Sequence, residues 1–457
     1  MSQKPDSKPE FYRPRNPEQS PFYKLVNEYF DEFERIYPEK YEKTHGYWRP
    51  IIRKSIEKFL KCGDLKEGFA RVKCKQCGKE LFVAYSCKVR CCCPSCHQKR
   101  SLLLSYHLQE SVLEEVPHRQ FVFTLPKRLR IYFKYDRKLL GKLSNVAWKT
   151  IRDVFIEEIG CEGATPAMVS GIQTYGDLAN FHPHIHALVG CGVFLESGKF
   201  IEIDQIPTER FLEKWEDKVF ELLLKEEKIT SEIVENMRGW KFSGFSIDNS
   251  VLLQKDNKES LRRLIEYISR CPFSITRMLK ITDDGKVIYR ATKPSCLPFP
   301  IPGNEKLKAG TKRNFEIYEP FDFLAEVTQH IPNKGEHLLR YYGWYSNKQR
   351  GLRNKKAENG DLPETQKIKK KCSLTWAMLI KSVYEVNPLT CPVCQGEMKI
   401  IALIDGKKQP TVVKKILKHC ELWKDKTPRS PPQKKKIHII ESEESPYDYS
   451  FFDNVCA

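Results

Sequence analysis

No apolar run in these 457 residues approaches the roughly 20 that a membrane-spanning helix needs, and no internal repeat is visible. A signal peptide is not evident either: the start, MSQKPDSKPEFYRPRNPEQS, is polar and proline-rich. A soluble, cytoplasmic protein with no membrane partner is therefore expected. Acidic residues are in deficit, 59 Asp and Glu against 78 Lys and Arg, for a formal net charge of +19. The basic residues recur along nearly the whole chain, which favours a polyanionic partner such as nucleic acid. Length favours one main domain with one or two satellites.

Cysteine is plentiful instead, and without a secretory signal its seventeen copies read as metal ligands rather than disulfides. Eight lie between Cys62 and Cys96. CKQC at 74–77 and CPSC at 93–96 make C-x2-C-x15-C-x2-C, the spacing of two knuckles gripping one tetrahedral zinc. Cys74, Cys77, Cys93 and Cys96 are the expected ligands of a structural Zn2+, with Cys91 or Cys92 as substitutes in the second knuckle. The lysines and arginines around them suit DNA contact. A second half-site, Cys391 and Cys394 in CPVC, is either completed by His419 and Cys420 or left without metal.

Apolar residues three and four apart predict amphipathic helices from Pro21 to Leu60, after a disordered leader over 1–20. A helical and zinc-ribbon DNA-binding domain is expected over 21–105, and the main domain over 115–346. A basic linker at 347–372, a small CxxC element at 373–425 and a disordered tail at 426–457 follow. AMVSGIQTYG and HPHIHALVGCGVF read as a strand pair turning at Asp177 to Asn180. A helix is predicted from Lys258 to Arg270 with Asp256 as N-cap, and a hairpin at 280–291 turning at Asp284-Gly285.

HPHIH carries the chemistry. On a strand, alternate side chains share a face, so His184 and His186 point the same way with Ile185 opposite. Two imidazoles on one face suit a divalent metal. Pro183 argues for a strand that begins after His182, leaving that residue either a third ligand or a neighbour. Gln173, from the paired strand, is the candidate for the outside ligand. An open coordination sphere of this kind favours catalysis over structure. In RYYGWYS, the residues Arg340, Tyr341, Tyr342, Trp344 and Tyr345 suit either stacking on bases of single-stranded DNA or a core aromatic cluster.

HPHIH resembles the His-hydrophobic-His motif of HUH endonucleases. The chain from about residue 55 to 425 resembles bacterial rolling-circle insertion-sequence transposases, with SCKVRCCCPSC, FVFTLPKRLR, QTYGDLANFHPHIHALV, YISRCPFSITR, HIPNKGEHLLRYYGWYS and YEVNPLTCPVCQGEMKIIALI in the family's order. The resemblance implies an α+β fold with an HUH-type antiparallel sheet and flanking helices. It also implies a metal-dependent nuclease and strand transferase that attacks single-stranded DNA with a tyrosine, at element ends and target. Carried over, the metal ligands are His184 and His186, with Mn2+ or Mg2+ as the ion, and the nucleophile is Tyr267. Where two-tyrosine members have a second tyrosine, this chain has Cys271, which implies the single-tyrosine form. The alternatives are a replication initiator of the same chemistry and a zinc-ribbon DNA-binding protein without catalysis.

Overall fold

The computed structural model describes residues 17–161, 163–204, 206–291, 315–359 and 389–425. Most of the leader, residues 360–388 of the linker and CxxC element, and the tail from 426 lie outside the described residues.

Helix α1 (Pro21–Lys40) starts at Ser20, whose hydroxyl accepts from the Tyr23 amide, and α2 (Pro50–Leu60) follows. Such a cap contributes about 1 kcal/mol. Strands β1 (Gly68–Cys74) and β2 (Glu80–Ala84) form a hairpin, and α3 (Pro94–Ser111) leaves the cysteine block. Next come β3 (His118–Thr124), α4 (Lys138–Ile159), β4 (Thr165–Tyr175), β5 (Phe181–Phe194), β6 (Phe200–Glu202) and α5 (Thr208–Lys225). The chain continues through β7 (Ser246–Asp248), β8 (Leu252–Leu253), α6 (Lys258–Ile268), β9 (Met278–Ile281), β10 (Val287–Arg290) and β11 (Phe315–Tyr318). Last are α7 (Pro320–Thr328), β12 (Leu339–Gly343), α8 (Asn347–Glu358), β13 (Met398–Asp405) and α9 (Pro410–His419).

The central antiparallel sheet has seven strands in the order β12-β4-β5-β3-β7, with β6 on β5 and β8 on β3. Because side chains alternate, its two faces bury different cores. One face, with Phe121, Phe123, Ile172, Ile185 and Val189, packs against α4 and α5 through Leu143, Ile151, Trp215 and Phe220. The other, with Val169 and Leu188, packs against Leu264, Ile265 and Ile268 of α6 and Leu108 of α3. Each such buried aliphatic or aromatic side chain contributes about 1.5–3 kcal/mol. The fold is thus α+β, as expected.

The amino-terminal helices share a core with later segments: Phe22, Phe30, Phe33 and Ile56 pack with Phe273, Val287, Tyr289 and Phe323. Arg49 reinforces the join by donating to the carbonyl oxygens of Thr328, Gln329 and Ile331. Nearby, Arg137 and Glu336 form a buried two-pronged ion pair at 3.0 and 2.7 Å.

Several expectations are corrected. Asn257, not Asp256, caps α6, its side chain accepting from the Ser260 amide; the helix ends at Ile268, short of Arg270. Strand β5 begins at Phe181 and so runs through Pro183. The proline is tolerated because the β3 pairing stops at His184, leaving no ladder bond on that side for its missing N–H. The expected linker is helical over Asn347–Glu358. The CxxC element is no separate satellite, since β13 adds to β1 in a three-stranded sheet with β2.

Candidate active site

His184 and His186 lie on the face of β5 that looks toward α6, side by side and buried at 9% and 3% exposure. Their Nε2 atoms are 3.1 Å apart. Adjacent ligands at right angles around an ion about 2.1 Å away would be about 3.0 Å apart, so the pair fits a divalent metal. Burial is the largest influence on both, pushing His184 down to about 4 and His186 well below the usual imidazole range. Both are therefore neutral at pH 7, the form that ligates.

The tautomers are legible in the hydrogen bonds. His184 donates from Nδ1 to the His182 carbonyl (2.8 Å), which leaves its Nε2 lone pair free to bind. His186 Nδ1 is 2.9 Å from the Gln120 amide nitrogen and accepts from it. Its Nε2 then carries the proton that points at His184. Turning the Gln120 amide end for end would present its oxygen to Nδ1–H and free His186 Nε2 for a metal. Gln120 sits on β3, diagonal to His186, and local sequence gave no sign of it.

Tyr267 is on α6, beside its buried residues Leu264, Ile265 and Ile268, and is 44% exposed. Its ring meets that of His186 edge to face, with centroids 5.5 Å apart and an 88° interplanar angle. The approach depends on Gly171, which pairs with His186 across the strands: a Cβ there would lie 2.5 Å from the Ile268 methyl and push α6 off the sheet. The Arg270 guanidinium lies 4.4 Å from the Tyr267 ring centroid and also lowers the proton affinity of both histidines by its charge. Sequence reading passed over Arg270, although its place three residues after Tyr267 at the helix end was a usable signal. Cys271 packs at the edge of the amino-terminal core, and burial raises its thiol well above the usual range.

Gln173 pairs with His184 on the same face. Its amide nitrogen donates to the Tyr267 and Ile268 carbonyls (3.1 and 2.7 Å), closing the end of α6, while its oxygen is buried without a hydrogen-bond partner. Among the described residues, no third His, Cys, Asp or Glu joins the two histidines as a metal-sized group.

The cysteines group otherwise than their spacing predicts. Cys93 and Cys96 join Cys62 and Cys87, with sulfurs 3.5–3.7 Å apart in the closest pairs. Cys74 and Cys77 join Cys391 and Cys394, with closest pairs at 3.5 Å. A tetrahedron of thiolates 2.3 Å from zinc has edges of about 3.8 Å, so both groups fit Zn2+. His419 and Cys420 are thereby displaced as ligands of the CPVC turn. The spacing misleads because the β1–β13 pairing carries CPVC to CKQC, bringing together cysteines 314 and 320 residues apart. Cys91 and Cys92 stay outside both groups, their thiols raised by burial.

The first group touches the tyrosine helix. His97, next to Cys96, accepts from the Cys91 amide (3.1 Å) and donates to the Ser269 carbonyl (2.7 Å), two residues beyond Tyr267. Ser101 bonds the Ser269 hydroxyl at 2.5 Å.

The aromatic run is chiefly core. Tyr345 is fully buried, its hydroxyl 2.8 Å from His118 Nε2, and Trp344 stacks on Phe194. Tyr342 stacks on Trp148 and bonds Ser144. Trp344 and Tyr345 are thus buried away from bases; Arg340, Tyr341 and Tyr342 remain partly exposed.

Residues 167–352 match a family described as putative transposase, and residues 32–125 match the transposase zinc-binding domain. The chain is 25% identical over 384 residues to the transposase for insertion sequence element IS801 of Pseudomonas savastanoi pv. phaseolicola, covering 79% of this chain and 86% of that one. It is 24% identical over 414 residues to putative transposase y4qJ of Sinorhizobium fredii (strain NBRC 101917 / NGR234), covering 82% and 95%. No solved structure matches.

Proposed function

The chain belongs to the family of insertion-sequence transposases that join a transposase zinc-binding domain to a transposase domain, and from this premise we propose a tyrosine-dependent DNA strand transferase. It nicks single-stranded DNA at element ends and rejoins it at a target, as in rolling-circle transposition. The observation that carries this reading is the half-exposed Tyr267 ring against buried, neutral His186. Two histidines and a reactive hydroxyl on one face are what phosphodiester transfer needs.

In the cutting step the Tyr267 oxygen attacks phosphorus and its proton is lost to solvent or a nearby base. The bond from phosphorus to the 3′ oxygen breaks, and the leaving oxygen takes up a proton as a 3′-hydroxyl. The 5′-phosphate stays on Tyr267. Attack by a different 3′-hydroxyl reverses these events and joins strands without a nucleotide cofactor, since one phosphodiester has replaced another. His184 and His186 would hold Mn2+ or Mg2+, which supplies charge neutralisation at the scissile phosphate. The buried, unpartnered Gln173 oxygen supports this residue as their third ligand. The Arg270 guanidinium, 4.4 Å from the Tyr267 ring centroid, places positive charge beside the reacting group. With Cys271 at the position four residues on, a single tyrosine serves each chain.

Replacing Tyr267 with Phe is expected to abolish the covalent protein–DNA adduct, read on a denaturing gel with oligonucleotides and Mn2+, while binding persists. An adduct from the Phe variant would assign the nucleophile elsewhere. A wild-type protein that binds DNA yet forms no adduct across many substrates and metals would be a binding protein without catalysis.

A further inference from the structure

Between the cysteine block and the tyrosine helix lies a cavity of about 270 Å3, walled by α3, the end of α6, β4 and β12. Its lining includes Arg90, Arg100 and Arg270, and it contains no Asp or Glu. Three guanidinium groups without a carboxylate make a cavity for an anion. Arg90 spends two nitrogens on the Glu336 and Asn333 carbonyls, which fixes the group in the wall. Arg270 Nε is buried with no hydrogen-bond partner. A buried cationic donor left unpaired is destabilising, and an arriving acceptor removes that penalty. Leu104 and Tyr341 supply the apolar part of the wall.

We propose that this cavity holds the nucleotide next to the scissile phosphate, its phosphate between Arg270 and Arg100 and its base against Tyr341 and Leu104. The volume is many times the roughly 30 Å3 share of one water, and the mix of guanidinium and flat apolar wall matches a nucleotide better than a bare ion. Ile268, Ser269 and Arg270 line the cavity directly after Tyr267, so a strand lying in it passes the tyrosine. The cysteine module and the catalytic sheet would then hold one substrate jointly. The inference rests on the strand-transfer reading above.

The test uses the full chain carrying Tyr267→Phe, so that binding is measured without cleavage, and a random-sequence single-stranded oligonucleotide pool containing 4-thiothymidine. Arg100, exposed and outside the metal and tyrosine machinery, is replaced by Gln. Affinity should fall roughly 3- to 10-fold, and the slope of log K against log salt should become shallower by about 0.7, the loss of one phosphate contact on a single strand. Leu104→Trp, which fills the cavity without changing charge, should also weaken binding. Crosslinks should map to residues 90–104 and 338–341. An unchanged slope with crosslinks elsewhere overturns the proposal, as does equal displacement of the pool by a phosphopeptide of matched charge. If the singly substituted Arg100→Gln and Leu104→Trp proteins keep Tyr267, form adduct normally and bind normally, only this cavity assignment falls. Absence of both adduct and oligonucleotide binding in the wild-type chain overturns the strand-transfer reading with it.

Discussion

The two cysteine groups have the same ligands and different tasks. One gathers Cys62, Cys87, Cys93 and Cys96 from a short stretch, and sits in the core shared by the amino-terminal helices. The other pins Cys391 and Cys394 to Cys74 and Cys77, and so fastens the last described strand to β1. Among the described residues, only the first has a hydrogen-bonded route to the tyrosine helix, through His97 and Ser101 to Ser269. Its sulfurs are mostly buried, whereas Cys77 and Cys394 are exposed. Equal chemistry thus braces the proposed tyrosine site in one place and the last described strand in the other.

Three substitutions would break or sharpen that contrast. Cys96→Ser should have the largest effect, because a structural zinc site contributes several kcal/mol to folding and this one underlies α3 and α6. A lower zinc content, a much lower Tm and loss of adduct are expected together; an intact adduct would deny the link to Tyr267. His97→Ala leaves the Cys91 amide and Ser269 carbonyl without partners, a loss of about 1–3 kcal/mol. Adduct formation should slow more than DNA binding weakens, with zinc content unchanged. Equal losses in both would make His97 a general support rather than a positioning residue for Tyr267. Cys394→Ser should do least: zinc content falls, hydrogen exchange rises in β13 and β1, and adduct rate stays within about threefold, less than 1 kcal/mol of barrier. A collapse of activity there would erase the difference between the groups.

How much was legible varies with how local the signal is. The two long strands, the hairpin at Gly285 and the shared face of His184 and His186 follow from alternation and turn chemistry between near neighbours. Tyr267 needed the family resemblance, since its flank position on an amphipathic helix is unremarkable among twenty tyrosines. RYYGWYS looked equally suited to bases or to a core, and the packing of Trp344 on Phe194 and of Tyr345 beside His118 decides for the core at those two residues. Gln120 and Gly171 had no local signature at all, because their importance comes from lying across a strand from His186.

The sequence by itself determined that this chain is basic, binds metal through cysteine, and carries two histidines on one strand face. Those properties depend on composition and on periods of two to four residues, which the backbone enforces locally. Only the tertiary structure decided which cysteines share a metal and which tyrosine meets the histidines. Thiolate sites and active sites require atoms within a few ångströms; sheet register brings Cys77 to Cys391, and the packing of α6 on the sheet brings Tyr267 to His186.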